Sequence, residues 1–322
     1  MTGLYNLTRR NCKLFFKDKG MFFSAMITPI ILLVLYATFL ARVYRNSFVS
    51  GLPAGMPDMG DIIDATVGGQ LISSLLAVSC ITVAFCCNLI CVQDKARGTV
   101  NDLYMTPAGR GCISLGYYLA TVFSTLLVCF GSAGIGFIYL HFVGSYISAS
   151  DVLLIFCDIF LLVMFGTALS SIVNLFISTE GQMSAVGTIV SAGYGFICGA
   201  YMPMSQFSEG LRNVLMFLPG TYGTSLIRSH YLRGAFAEMS AAGFPDDVIE
   251  GIKGSVDCTL SFFGRDVSTG AMYAVLGGSV VLLSAQRGAS LLLPVAAAAV
   301  VVIGAAAFFV VRKKKAAKNK AE

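Results

Sequence analysis

One carboxylate, Asp158, lies inside an apolar run, residues 152–177, that is long enough to cross a bilayer. An ionisable group at that depth is expensive to keep and points to use. It could line a passage for a polar or cationic solute, or take part in proton transfer. It could equally be structural, hydrogen-bonded to neighbouring Ser or Thr, or hydrated near the outer interface. Little else in the chain could do chemistry. There are two histidines, His141 and His230, and no His or Cys spacing that would hold a metal. The other acidic residues gather in loops without a partnered nucleophile, so no catalytic residue is expected. Seven of the ten cysteines (Cys80, Cys86, Cys87, Cys91, Cys129, Cys157 and Cys198) sit in apolar runs and read as small packing residues. Asn88 and Asn174 read as hydrogen-bonding glue between helices.

Hydropathy sets the elements that must position Asp158. The 322 residues are 56% hydrophobic and 12% charged, about half the charge of a soluble domain. Runs at 21–41, 71–92, 113–140, 152–177, 183–202 and 290–311 each approach the ~20 apolar residues a span needs. Pro29 is expected to kink the first. Lys and Arg set the orientation. Five of them lie between 9 and 19, and six follow Val311. The 93–112 loop carries Lys95, Arg97 and Arg110, whereas 141–151 carries none. The pattern predicts an all-α integral membrane protein with six transmembrane helices, both termini cytoplasmic, in the plasma (inner) membrane. It divides into residues 1–20, a lead-in helix; 21–202, five spans with the cytoplasmic loop 93–112; 203–288, an extracellular or re-entrant segment; and 289–322, the last span and a basic tail.

Residues 4–19 read as an amphipathic helix. Leu4, Leu7, Leu14 and Phe15 fall on one side, Arg9, Arg10, Lys13 and Lys17 opposite, and Asn11 and Asp18 interrupt the apolar stripe. It suits the inner-leaflet interface, with its cations near anionic lipid, or is a plain basic flank. In the 93–112 loop, Val100, Leu103 and Tyr104 make one small apolar face, and Pro107 and Gly109 end the helix. That face could dock into a soluble partner or belong to a simple helical hairpin. Residues 234–266 are polar and read as a small outer cap, too small for a separate core. The uncharged stretch 267–285 reads as an outer-face interfacial or re-entrant helix. Its alternative is a seventh span, which would place the Lys-rich tail outside.

Taken in order, Asp94, Lys95, Arg97, Gly98, Thr99, Leu103, Thr106, Pro107 and Arg110 resemble the cytoplasmic loop of ABC-2 type permeases. Gly199 through Pro203, then Leu211, Pro219, Gly220, Thr221, Tyr222 and Arg228, resemble that family's signature after its fifth span. The basic N-terminal helix is similar too, so the resemblance covers residues 1–235. Residues 267–311 are longer than the family pattern. The resemblance implies the permease subunit of an ABC exporter, paired with a second copy or a paralogue and embedded in lipid. A separate cytosolic ATPase would carry ATP and Mg, so this chain needs no cofactor, and no nucleic acid is involved. Asp94, Arg97, Gly98, Leu103, Tyr104, Pro107 and Arg110 would form the coupling element. In it, Gly98 would permit close backbone approach, and Leu103 and Tyr104 would enter a groove on the partner. The helix with Arg9, Arg10, Lys13 and Lys17 would be the connecting helix, and Pro203, Pro219, Tyr222 and Arg228 an outer motif. No G-x-x-x-x-G-K-[ST] loop occurs, consistent with ATP bound elsewhere.

Two other classes compete. An ATP-independent secondary transporter or channel would favour charges in several spans and internal repeats. A membrane-embedded enzyme would need His, Asp or Glu clustered near one face. One intramembrane carboxylate and no convincing repeat support neither, and the expected cargo is an amphiphile or small molecule moved outward.

Overall fold

The computed structural model describes residues 2–42, 45–46, 60–144, 146–263 and 265–285; the expected span 290–311 and the basic tail lie outside them. Helix α1 (Thr2–Lys17) meets α2 (Lys19–Leu35) at a 75° bend. Asp18 makes the corner by capping α2, its side chain accepting from Met21 N at 3.1 Å. Helix α2 continues through Pro29 and ends in a π turn, Tyr36–Leu40. Next come α3 (Gly60–Cys87), a break at Asn88, α4 (Leu89–Ala96) and α5 (Thr99–Tyr104). Helices α6 (Arg110–Val143), α7 (Ala149–Phe176) and α8 (Glu180–Ile197) follow. Three stretches, Gly60–Ala96, Arg110–Val143 and Ala149–Phe176, are long and apolar enough to cross a membrane, and the bent α1–α2 pair is a fourth.

Helix α3 is the axis of the bundle. Leu71, Leu75, Leu76, Val78 and Ile81 are buried on every side of it, as expected of a helix apolar all round. Several of its hydroxyls bond back to its own turns: Ser73 donates to Gln70 O at 2.8 Å, Ser79 to Leu75 O at 2.7 Å and Thr82 to Val78 O at 3.1 Å. Helix α6 runs antiparallel to it, with Ile72 against Gly136 and Leu140 against Gly68. Phe123, Leu127, Ile135 and Ile138 of α6 and Leu153 and Leu175 of α7 are exposed. Those are the surfaces that hydrocarbon would cover in a membrane.

The rest of the described chain is α9 (Glu209–Leu215), α10 (Pro219–Ala241), α11 (Asp246–Ser255), the pairing of β1 (Ser261–Phe262) with β2 (Arg265–Asp266), and α12 (Thr269–Ala285). Much of the 203–288 segment is therefore packed into the bundle. Helix α10 lies antiparallel to α3, with Leu232 beside Gly69 and Arg228 bonded to Ser74. Helix α12 covers the stretch expected to be an outer-face interfacial or re-entrant helix, and it packs on α7 and α10. It runs along α7 in the same direction: Tyr273 meets Asp158, and Leu276 and Leu162 both meet Gly223. Its 17 described residues extend about 26 Å. Of residues 234–266, expected as a cap, 234–241 belong to α10; beyond them Phe244, Ile249 and Val256 cluster on Leu232, Phe236 and Met239.

Candidate functional site

The bundle has a loop end, which carries α5, and a far end, which carries residues 146–148. At the loop end α1 packs on α6. Leu7 and Phe15 are buried, and a Cβ at Gly116 would lie 2.7 Å from Leu7 Cδ2, so only glycine seats the helix this closely. Asn11 is buried as well and continues the inner stripe, while Leu14 is exposed. Arg9, Lys13 and Lys17 point outward. Arg10 turns inward instead. Its Nη1 and Nη2 donate to Asp94 at 2.7 and 3.2 Å, and Tyr117 OH donates to the same carboxylate at 2.5 Å. A forked, charge-assisted contact of this kind is among the stronger polar interactions. The Asp94 hydrogen bond, opposed by desolvation, holds Arg10 above its ordinary pKa. Asp94 therefore ties α1, α4 and α6 together within the chain and presents no surface to a partner.

Gly98 starts α5 with φ 79°, and nothing lies within 4 Å of where its Cβ would be. The residue answers to a left-handed turn rather than to crowding. Leu103 is half-buried and lines a groove of about 670 Å³ with Leu4, Leu7, Pro107 and Ile113. The outward apolar face is Tyr104 and Met105, the latter 89% exposed. Arg110 sits over the Tyr104 ring, 5.6 Å from its centroid. Arg97 and Pro107 are exposed, Arg97 lying 3.6 Å from Glu180 at the start of α8. Behind this surface, Asn88 donates to Ser170 and Ser171 at 2.9 and 3.1 Å, Asn174 to Asn88 O at 3.2 Å, and Lys95 to Asn174 O at 2.7 Å. These two asparagines are interhelical glue, joining α4 to α7 across the break in the central helix.

Asp158 is 1% exposed, and its partners are neither Ser nor Thr. His230 Nδ1 of α10 lies 2.5 Å from Oδ2, and Tyr273 OH of α12 donates to Oδ1 at 2.5 Å. Nearer the far end, Arg233 forms an ion pair with Asp151 at 2.9 Å, without hydrogen-bond alignment at that oxygen. Arg228, on the other side of α10, is fully buried. Its Nη1 donates to Val256 O at 2.9 Å and Asp257 Oδ2 at 3.3 Å; its Nη2 donates to Ser74 Oγ and Gly199 O, both at 2.9 Å. Asp257, held at φ 55°, also accepts from Met204 N at 2.7 Å. Pro219 opens α10, Tyr222 OH donates to Met216 O at 2.7 Å, and Pro203 precedes a short 3-10 turn. Of these four, Pro219 and Tyr222 shape the α9–α10 junction, whereas Arg228 anchors α10 to α3 and to residues 256–257. His230, Tyr273, Asp257 and Tyr117 were not foreseen. The signal for His230 was its rarity, as one of two histidines in a chain 56% hydrophobic.

A cleft of about 750 Å³ opens between α2, α3 and α8. Ile31, Phe85 and Met183 make it apolar, and Ser24, Thr188 and Tyr201 give it a few polar points. Among the described residues no group of His, Cys, Asp and Glu could hold a metal ion, and none of the ten cysteines is in a disulfide.

No curated protein matches the chain. Residues 2–232 match the ABC-2 type transporter family, from α1 through most of α10. The match takes in the loop-end knot, the exposed face of α5 and both Arg228 and His230, and stops before the cap and α12. The chain therefore belongs to the ABC-2 type transporter family, as the multi-pass membrane permease subunit of an ABC transporter, not itself an enzyme, of a kind that normally works with a cytosolic ATPase.

Proposed function

We propose that this subunit exports an amphiphilic or small-molecule substrate by alternating access, powered by a cytosolic ATPase that docks on the loop end. In this reading both termini and the loop end are cytoplasmic, the membrane is the plasma membrane, and two permease copies or paralogues pair. The observation that carries it is the Arg10–Asp94–Tyr117 knot behind the exposed Tyr104 and Met105. A push on α5 is passed to α4, and through the knot to α1 and α6. From α1 it reaches α2 across the 75° corner, and from α4 it reaches α3 across the break at Asn88. Both α2 and α3 wall the cleft, whose apolar wall, several hydroxyls and the Glu180 carboxylate suit an amphiphile.

Tyr104→Asp with Met105→Asp tests the docking. Burial of these two side chains in a partner groove would contribute roughly 3–5 kcal/mol before ordering costs, and two carboxylates there would reverse it. The variant is expected to insert and fold normally, to lose co-purification with its ATPase, and to stop stimulating it. Asp246→Ala with Asp247→Ala in α11 is the control and should change neither. A double-Asp variant that binds and activates the ATPase as wild type does would remove α5 as the docking element. Single cysteines sharpen the topology: at position 105 an impermeant reagent should label only from inside, at 247 only from outside.

A further inference from the structure

We propose that Asp158, His230 and Tyr273 form a proton-controlled latch, which fastens α10 and α12 to α7 while His230 is protonated and loosens when it is not. Three helices meet at one carboxylate whose neighbours leave it almost no access to water. With a charged imidazole at 2.5 Å the carboxylate is compensated. With a neutral imidazole the same site holds a lone negative charge and two neutral donors. A buried charge without a counter-charge is strongly unfavourable, so the seam must open to water. That opening weakens the contact between α7 and its two neighbours. Imidazole is the side chain whose ordinary titration falls between about pH 5 and 8.

The groups around His230 leave the imidazole as the variable. From α7 come Asp158, Asp151 and Cys157, from α12 Tyr273, and from α10 itself Arg233. Helix α3 presents residues 69–74 at this level, none of them ionisable. Lys253 of α11 lies over Phe236, 5.5 Å from the ring centroid and well along α10 from His230. On its opposite side α10 is tied to α3 and the cap by Arg228, whose charge persists at any working pH. Loss of the His230 proton therefore frees one side of α10 and leaves the other fastened. The consequence is a seam that opens along α7 rather than general unfolding.

The test uses the full chain in lipid nanodiscs, labelled at histidine, with no partner or substrate. Imidazole NMR has two signals to resolve, and His141→Gln, at an exposed position, assigns them. The His230 signal is expected to titrate between about pH 5 and 8. Over that range the thermal midpoint of the wild type should fall as pH rises, by about 3 °C or more. His230→Gln and Asp158→Asn should each flatten that pH dependence. An imidazole signal unchanged across the range overturns the latch, and so does a wild-type pH profile parallel to that of His230→Gln. The NMR measurement needs no latch variant, so misfolding of either substitution leaves the decision with the wild-type protein.

Discussion

Asp94 and Asp158 are held alike at opposite ends of the bundle, by different cations. Each carboxylate is buried, each takes a tyrosine hydroxyl from a second helix, and each takes a cation from a third. At the loop end that cation is Arg10, a guanidinium that stays charged, with a side chain 34% exposed. At the far end it is His230, deep in the seam, whose imidazole carries a charge only when protonated. The loop-end knot is therefore constant and the far-end knot conditional. A permanent tie suits the end read here as receiving the ATPase stroke, where slack would waste it. A conditional tie suits a seam that has to open.

The far end also has a constant tie, and removing it should have the largest effect. Arg228→Ala removes a donor from four acceptors and leaves Asp257 buried without its cation. Breaking a buried pair from one side costs about 3–5 kcal/mol. The expected outcome is a large fall in thermal midpoint at every pH, with poor recovery of folded protein. If Arg228→Ala behaves like the wild type, α10 is not anchored by this residue, and a release at His230 would not be one-sided.

Asp158→Ala is the next in size. It orphans Tyr273 OH and leaves the imidazole to neutralise itself, for about 2–4 kcal/mol at low pH and less at high pH. Asp94→Ala should cost less, about 1–2 kcal/mol, because Arg10 can swing into water, and the loss should not vary between about pH 5 and 8. Parallel denaturation of the two variants across pH checks both. Equal pH profiles for the two would erase the contrast between the ends.

Hydropathy exposed the first half of this architecture and missed much of the second for a definable reason. The runs at 113–140 and 152–177 match α6 and α7 closely, because apolar length alone decides a helix in hydrocarbon. The run at 71–92 underestimates its helix, which starts at Gly60, since Asp61 and Asp64 dilute the hydropathy of its first turns. Helix α10 fails the same measure. It is rich in Thr, Ser, Gly and Arg, yet Thr221, Thr224, Ser225 and Arg228 are all buried. A polar helix buried by mutual hydrogen bonding has the composition of a surface one, and its partners lie far away in sequence: His230 is 72 positions from Asp158, and Tyr273 is 115. The 93–112 loop was readable as an element. Which residues face outward was not, since Leu103 and Tyr104 are adjacent and only α1, arriving from far upstream, decides that Leu103 turns in.

Exchanging the cation should move the property from one end to the other, and Arg10→His is the smallest and most specific of these tests. The ring is shorter and cannot make the forked contact, so part of the knot is lost at all pH. What remains is an imidazole facing the Asp94 carboxylate. The knotted form then binds a proton more tightly than the unfolded chain does. Its contribution is fully present at low pH and is lost as pH rises through the imidazole's titration. The site is about one-third exposed and screened by water, so the pH-dependent part should stay below about 1 kcal/mol. Making the substitution in the His230→Gln background removes the far-end contribution. Against that flat background the thermal midpoint should acquire a fall between about pH 5 and 8, and ATPase co-purification should weaken over the same range. A profile that stays flat would mean that the loop end holds without a cation on Asp94, and the difference between the two ends would then lie in burial rather than in which cation each carboxylate received.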